Sequence, residues 1–259
     1  MKSSGLGDQL YVAGYDLSGD TGSLERIGGG NSPLVVTGID KSAFERIGGL
    51  RDGGIDWTSF FNPEVAGAGP PETFDREHVA LSPLPTADVL VTYFRGTTIG
   101  KPAASMIAKQ VNYDPTRNTD GSLTFSLNAL ANGYGIEWGE QLTAGLRTDT
   151  EATAGTAWHD PGAVTTSFGL QAYLQVTAFD GTNVTIKLQE SSDDGADTYA
   201  DVVGGGFTEV TAAPFTQRIA TATDLAVEEY LKVTTVTSAG FNSVTFAVMI
   251  VRNAAAPAF

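Results

Sequence analysis

Two residue types that can move protons stand side by side at one point of the chain. His159 is followed directly by Asp160, and an imidazole beside a carboxylate is the arrangement from which a general base is built. Both residues lie in a stretch rich in Ala, Thr and Gly that is typical of a linker, which favours a turn histidine over a catalytic one. The only other histidine is His78, so a multi-histidine metal site is excluded.

Carboxylates form two further clusters that could be taken for chemistry. Residues 190–197 are rich in acids and resemble a calcium loop, but they lack the alternating spacing and the terminal Glu of an EF-hand, so a solvated hairpin tip is predicted. Glu137 and Glu140 flank Trp138 and could imitate the acid pair of a glycosidase. A chain with 30 acidic residues offers many such pairs by chance. We therefore expect no enzyme activity, no cofactor and no bound metal.

The charge balance argues against the common nucleic-acid binders. The chain has 15 Lys and Arg against 30 Asp and Glu, a net charge of −15, whereas phosphate binding needs clustered cations. A surface past which DNA slides stays possible, because repulsion is useful there. The N-terminus has no apolar signal region, and no apolar run approaches the length of a membrane span. We expect a soluble chain with no export signal and no membrane contact.

The local sequence patterns are those of strands and turns, so the fold class is predicted to be all-β. The 31 glycines punctuate short segments of alternating apolar and polar residues. Residues 121–130 alternate most regularly, which indicates an antiparallel sheet with one solvated face. The best helix candidate is short, at residues 70–79, and we expect its Phe74 side to pack on the sheet. Further strands are predicted at residues 9–15, 33–37, 55–61, 88–94 and 104–113.

A change of composition near residues 148–162 marks a predicted domain boundary. We divide the chain into residues 1–160 and residues 161–259, the second being about the size of an immunoglobulin-like β-sandwich. In the second half, strands are predicted at residues 170–179, 183–189, 207–211, 217–221, 230–237 and 244–251. We expect this half to fold independently of the first.

The N-terminal region, residues 1–54, is Gly-rich and looks irregular, and it contains one repeated motif. Leu24-Glu25-Arg26-Ile27-Gly28-Gly29 recurs further along the chain as Phe44-Glu45-Arg46-Ile47-Gly48-Gly49. One interpretation is two similar turns at the ends of a long loop or hairpin. The other is an extended arm, at about residues 17–54, whose matched contacts reach neighbouring subunits.

Three longer runs carry a resemblance to a known family. They are Ala108-Lys109-Gln110-Val111-Asn112-Tyr113-Asp114-Pro115-Thr116-Arg117, then Asp120-Gly121-Ser122-Leu123-Thr124-Phe125, then Ala131-Asn132-Gly133-Tyr134-Gly135-Ile136-Glu137-Trp138-Gly139. From about Trp57 onward the chain resembles the major tail (tail tube) proteins of long-tailed, siphovirus-type phages of actinobacteria. Residues 142–149 and 213–220 fit as well, whereas the Gly-rich N-terminal region matches least.

The resemblance implies a β-sandwich or partial barrel with one short helix, plus an outer immunoglobulin-like β-sandwich. It implies a structural virion protein whose stacked hexameric rings form the channel for the genome. Its partners would be other copies of itself, tail proteins at the tube ends, and DNA only in transit. The protein would be assembled in the host cytoplasm and located in the phage tail. The alternative is a module that binds cell-surface carbohydrate through Tyr173 and Phe179 on a solvated sheet face.

Two sets of residues are predicted to act within such a tube. The uncharged face of the most regular strand is expected to line the lumen, because DNA must pass without binding: Ser122, Thr124, Ser126 and Asn128. The repeated motifs are expected to form contacts between rings: Leu24, Glu25, Arg26, Ile27, Phe44, Glu45, Arg46 and Ile47.

Overall fold

The computed structural model describes residues 4–60, 80–81, 87–109, 112, 114–159, 165–194 and 197–255. The helix predicted at residues 70–79, with Phe74 and His78, lies outside the described residues; Ala80 and Leu81 directly after it are helical and buried. No helix in the described part of the chain is long and apolar enough to cross a membrane.

Strands account for nearly all of the regular structure, which confirms the all-β class. The strands are β1 (Gln9–Val12), β2 (Tyr15–Asp16), β3 (Thr21–Val35), β4 (Arg46–Phe60), β5 (Val89–Phe94), β6 (Pro102–Lys109), β7 (Pro115–Arg117), β8 (Leu123–Ala131), β9 (Glu137–Gln141), β10 (Arg147–Asp149), β11 (Trp158–His159), β12 (Leu170–Asp180), β13 (Val184–Ser191), β14 (Ala200–Gly206), β15 (Phe215–Ala220), β16 (Tyr230–Thr237) and β17 (Ser243–Arg252).

Thirteen strands belong to one large antiparallel sheet. Its main path runs β15-β12-β17-β9-β6-β5-β1-β2. From β6 a branch continues through β8 to β4 and then β3, with β7 on β8 and β10 on β17. The remaining four strands form a second sheet in the order β11-β16-β13-β14.

The predicted alternation in β8 is confirmed, and it explains the core of the first half. Phe125, Leu127 and Ala129 are buried, whereas Ser126 between them is exposed, as a period of two requires. The buried face packs against Trp57 of β4 and the inward residues of β1, β5 and β6. Each large apolar side chain buried in this way contributes roughly 1.5–3 kcal/mol. The strands curl around this core as a half-barrel.

The second half is a two-layer sandwich. Inward residues of β12 and β17 in the large sheet pack against β13 and β16 of the small one, forming a second apolar core with Leu174, Ile186, Val233 and Phe246 among its members. Every second residue is buried from Val184 to Leu188 in β13 and from Leu231 to Thr235 in β16, which is the alternation that the sequence predicts.

The large sheet is continuous across residue 160. In β9, Trp138 pairs with Ala104 of β6, and Gln141 pairs with Met249 of β17. β10 also pairs with β17, and β11 pairs with β16. The division into residues 1–160 and 161–259 stays a prediction. The two halves are joined by strand pairing within the large sheet as well as by the connecting segment.

Two sequence predictions are wrong in detail. Residues 207–211 are not a strand; the strand is β14, which ends at Gly206, and only Val210 makes an isolated bridge, to Val184. The glycines at residues 204–206 concealed this strand, since glycine is unfavourable in strands. The Gly-rich region before residue 54 is not irregular either, because strands β1 to β4 occupy more than half of it, and β3 and β4 are long.

Candidate assembly interface

β3 and β4 form a long antiparallel hairpin, which we call the arm (residues 21–60). From Gly54 to Phe60, β4 also pairs with β8, so this part of the arm belongs to the large sheet. From Arg46 to Gly53, β4 pairs only with the outer part of β3, from Gly29 to Val35. Because a strand rises about 3.3 Å per residue, the free part reaches roughly 20 Å past the sheet.

The outer part of the arm, residues 33–51, exposes apolar side chains, and we call it the tip. Ile39 is fully exposed, Leu50 is 87% exposed and Phe44 is 70% exposed. Four more apolar side chains in the tip are about half exposed: Leu34, Val35, Val36 and Ile47. Soluble monomers rarely leave large contiguous apolar patches in water, and such patches mark interaction sites.

The two copies of the repeated motif lie at opposite ends of the arm. Leu24 and Ile27 of the first copy are half-buried against the core of the first half. In the second copy, Glu45 and Phe44 belong to the tip, and the Arg46 guanidinium lies 5.1 Å from the centre of the Phe44 ring. The structure therefore does not bring the copies together. Their role in contacts between rings stays a prediction.

Glycines determine how the arm leaves the body of the protein. A Cβ atom at Gly29 would lie 2.8 Å from Cγ2 of Ile136, and one at Gly53 would lie 2.6 Å from its Cβ. Only residues without a side chain allow Ile136 to pack so closely on the hairpin, and Ile136 is itself buried. This contact fixes the arm at the paired residues Gly29 and Gly53, which we call its root, against the segment before β9.

A buried ion pair lies beside the root of the arm. Glu137 of β9 is 5% exposed and Arg218 of β15 is 10% exposed, with Nη2 of Arg218 donating to Oε2 of Glu137 at 2.9 Å. The Tyr173 hydroxyl of β12 donates to the same oxygen. On the other carboxylate oxygen, Nη2 of Arg51 in the arm approaches to 3.9 Å. The pair therefore ties together β9, β12, β15 and the arm.

Two tyrosine side chains contact this ion pair. Burial, followed by the charge of Glu137, raises the pKa of the Tyr173 phenol well above its ordinary value, so its hydroxyl stays protonated and donates. The Arg218 guanidinium also lies 4.0 Å from the centre of the Tyr134 ring, an attractive cation–π contact. We call these residues, with Arg51, the Glu137 cluster.

The four residues predicted to line a lumen lie on one side of the β8 hairpin: Ser122, Thr124, Ser126 and Asn128. The Asn118 side chain donates to the hydroxyls of the first two, at 3.0 and 3.2 Å. The Asn128 side chain donates to Asp56 of β4, and Thr58 donates to Glu25 of β3 at 2.9 Å. The uncharged face thus continues across β4 to two carboxylates. Its assignment to a lumen stays a prediction.

The glutamate pair singled out from the sequence is not a glycosidase pair. Side chains alternate along a strand, so Glu137 and Glu140 of β9 project to opposite faces of the sheet and cannot flank one substrate. Glu137 is moreover engaged by Arg218. His159 lies in β11, and Asp160 lies outside the described residues.

The acidic loop joins β13 to β14, where a hairpin tip was predicted. The Tyr199 hydroxyl donates to Asp194 at 2.7 Å, and the Ser192 hydroxyl donates to Asp197 at 3.0 Å. Within the described ranges, no group of three or more His, Asp or Glu residues is arranged to hold a metal ion.

The prediction that Tyr173 and Phe179 lie on a solvated face and bind carbohydrate is wrong. Tyr173 is 1% exposed, because the first half of the chain packs on that face of β12 and encloses it with Tyr11 and Phe94. Phe179 is half-buried and packs on Phe241, with ring centres 6.3 Å apart. Neither ring is free to stack on a sugar in the manner expected from the sequence.

Sequence reasoning missed the Glu137 cluster, although one signal was present. Arg218 is the only charged residue of β15, in a segment that otherwise reads as an ordinary strand. A charged side chain that a strand buries must be paired, but a lone charge in a strand fits a solvent-facing position equally well. The partner lies 81 positions away, so only the fold identifies it.

Comparisons with known proteins give distant similarities only. No family model matches the chain, and no curated protein matches it. Among solved structures, the chain is similar to the Dit protein (gp 19.1) of phage SPP1, described as a paradigm of the hub adsorption apparatus in phages that infect Gram-positive bacteria. The identity is 14% over 94% of this chain and 98% of that one, with a TM-score of 0.30.

The chain is also similar to a component of the phage p2 baseplate in its activated conformation. For the baseplate structure with strontium, the identity is 9% over 95% of this chain and 99% of that one, with a TM-score of 0.33. With calcium the identity is 10%, the coverage is again 95% and 99%, and the TM-score is 0.30.

Proposed function

We propose that this chain is a structural protein of a phage tail, and specifically the major tail tube subunit. It polymerises into stacked hexameric rings whose channel delivers the genome, and it performs no catalysis. Its partners are other copies of itself and the tail proteins at the tube ends. It is assembled in the host cytoplasm and resides in the virion.

The observation that carries the proposal is the apolar tip of the arm. Covering a half-exposed Leu or Ile returns about 1 kcal/mol, so the seven exposed apolar side chains of the tip supply several kcal/mol to an association. In a monomer they would be a liability, since exposed apolar hairpins promote aggregation. In an ordered polymer these side chains are buried against a neighbouring subunit. The resemblance of the sequence to tail tube proteins supports the same interpretation.

The polar face of β8 suits the channel of such a tube. Clustered lysine and arginine on the wall would bind phosphates and retard the DNA. The face that continues to Asp56 and Glu25 offers hydroxyls, amides and carboxylates, and Arg26 on the same face lies opposite Asp56. We propose that this face lines the lumen. A reconstruction of the assembled particle with Thr124 on the outer surface would contradict this assignment.

Light scattering and negative-stain microscopy of the purified full-length chain test the proposal. We expect rings or tubes, with a mass several times that of the 27.0 kDa chain. A monodisperse monomer at all concentrations would refute a tube subunit.

A further inference from the structure

The tip is apolar on both of its faces. Successive side chains of a strand point in opposite directions, and the consecutive residues Leu34, Val35 and Val36 are 50%, 58% and 49% exposed. The pairing agrees, since Leu34 lies opposite Ile47 on one face, whereas Val35 lies opposite Arg46 on the other. A hairpin that rests on one surface would need only one apolar face.

We infer that the tip is inserted between two other copies of this chain, each of which covers one face. This inference rests on the proposed function and goes beyond it by specifying how the arm is bound. The first face presents Leu34, Val36 and Ile47. The second presents Val35 together with Phe44 and the Arg46 that stacks on it. The first set is aliphatic, and the second has an aliphatic and an aromatic side chain beside the Arg46 cation. The apolar side chains of both faces must be removed from water for the contact to stabilise the assembly.

The charge of the tip favours further copies of this acidic chain as its occupant. Residues 33–51 carry three cations and two carboxylates, in a chain that has 15 cations against 30 carboxylates. The tip is therefore slightly basic, whereas the rest of the protein is strongly acidic. Two acidic bodies repel each other, and a slightly basic apolar segment between them reduces that repulsion. This complementarity is specific to a partner that is itself acidic.

Single cysteines test the two faces separately, because the natural chain contains none. Val36→Cys places one thiol on the first face, and Val35→Cys places one on the second. Both positions are exposed, so neither change should disturb folding. The rate of maleimide labelling is measured for each variant in the dilute unassembled chain, which serves as its own control, and again after assembly.

Insertion between two copies predicts that assembly slows labelling at least tenfold at both positions. If the assembled protein protects one thiol and leaves the other as reactive as before, the tip lies on a single surface and the inference is wrong, although the chain still polymerises. If the chain does not associate and both thiols stay reactive at all concentrations, the inference and the proposed function fail together.

Discussion

Replacing Arg218 with methionine should lower the free energy of unfolding by about 3 kcal/mol, because removing one partner leaves the buried Glu137 carboxylate without its main counter-charge. Arg51 at 3.9 Å is half exposed and offers only partial compensation. The change also removes the cation from the face of Tyr134. Urea unfolding followed by circular dichroism measures the effect.

Arg117→Met is the matched control for this experiment. Arg117 lies in β7 and is exposed, so the same substitution there should alter the free energy of unfolding by less than about 0.5 kcal/mol. The double variant Arg218→Met with Glu137→Gln should recover part of the loss, because it removes the unpaired charge. Equal effects of Arg218→Met and Arg117→Met would show that the Glu137 cluster does not hold the strands together.

Substituting Gly139 with alanine should destabilise the protein by about 3 kcal/mol, since overpacking costs 1–3 kcal/mol and adjacent ladder hydrogen bonds about 1 kcal/mol each. A Cβ atom at Gly139 would lie 1.9 Å from the carbonyl oxygen of Ile250, which is backbone and cannot rotate away. β9 would therefore have to separate from β17, the strand that joins it to the second half.

Gly28→Ala provides the comparison for this change. A Cβ atom at Gly28 would meet no atom within 4 Å, and its backbone does not require glycine. Its free energy of unfolding should stay within about 0.5 kcal/mol of the natural chain. If Gly139→Ala unfolds at the same urea concentration as Gly28→Ala, the close approach of β9 and β17 is not essential to the fold.

Local patterns predicted the strands that have one apolar face. In the middle of β8 and in the first five residues of β13, apolar residues alternate with polar ones, and the fold buries those apolar residues as expected. The fold class followed from the same periodicity, because an alternating pattern cannot form one face of a helix.

The arm was not predictable from such patterns. The outer halves of β3 and β4 bury neither face, so no alternation of apolar and polar residues marks them. Some glycines of the arm are required by close packing, as Gly53 is beneath Ile136, and the glycines together mask the strand signal. The contacts between halves were equally hidden, because pairing such as that of β9 with β17 joins residues more than 100 positions apart.

Shortening the arm tests the central claim, that its tip drives self-assembly, most directly. Gly30 and Asp52 are paired, as are Asn31 and Arg51, so residues 32–50 can be replaced by Asn-Gly, which closes a two-residue hairpin turn at that point. This keeps the Glu137 cluster and the cores. Sedimentation velocity should show the natural chain as large assemblies and the shortened chain as a monomer, with equal far-ultraviolet circular dichroism. If the shortened chain forms the same assemblies as the natural one, the arm is not the assembly interface.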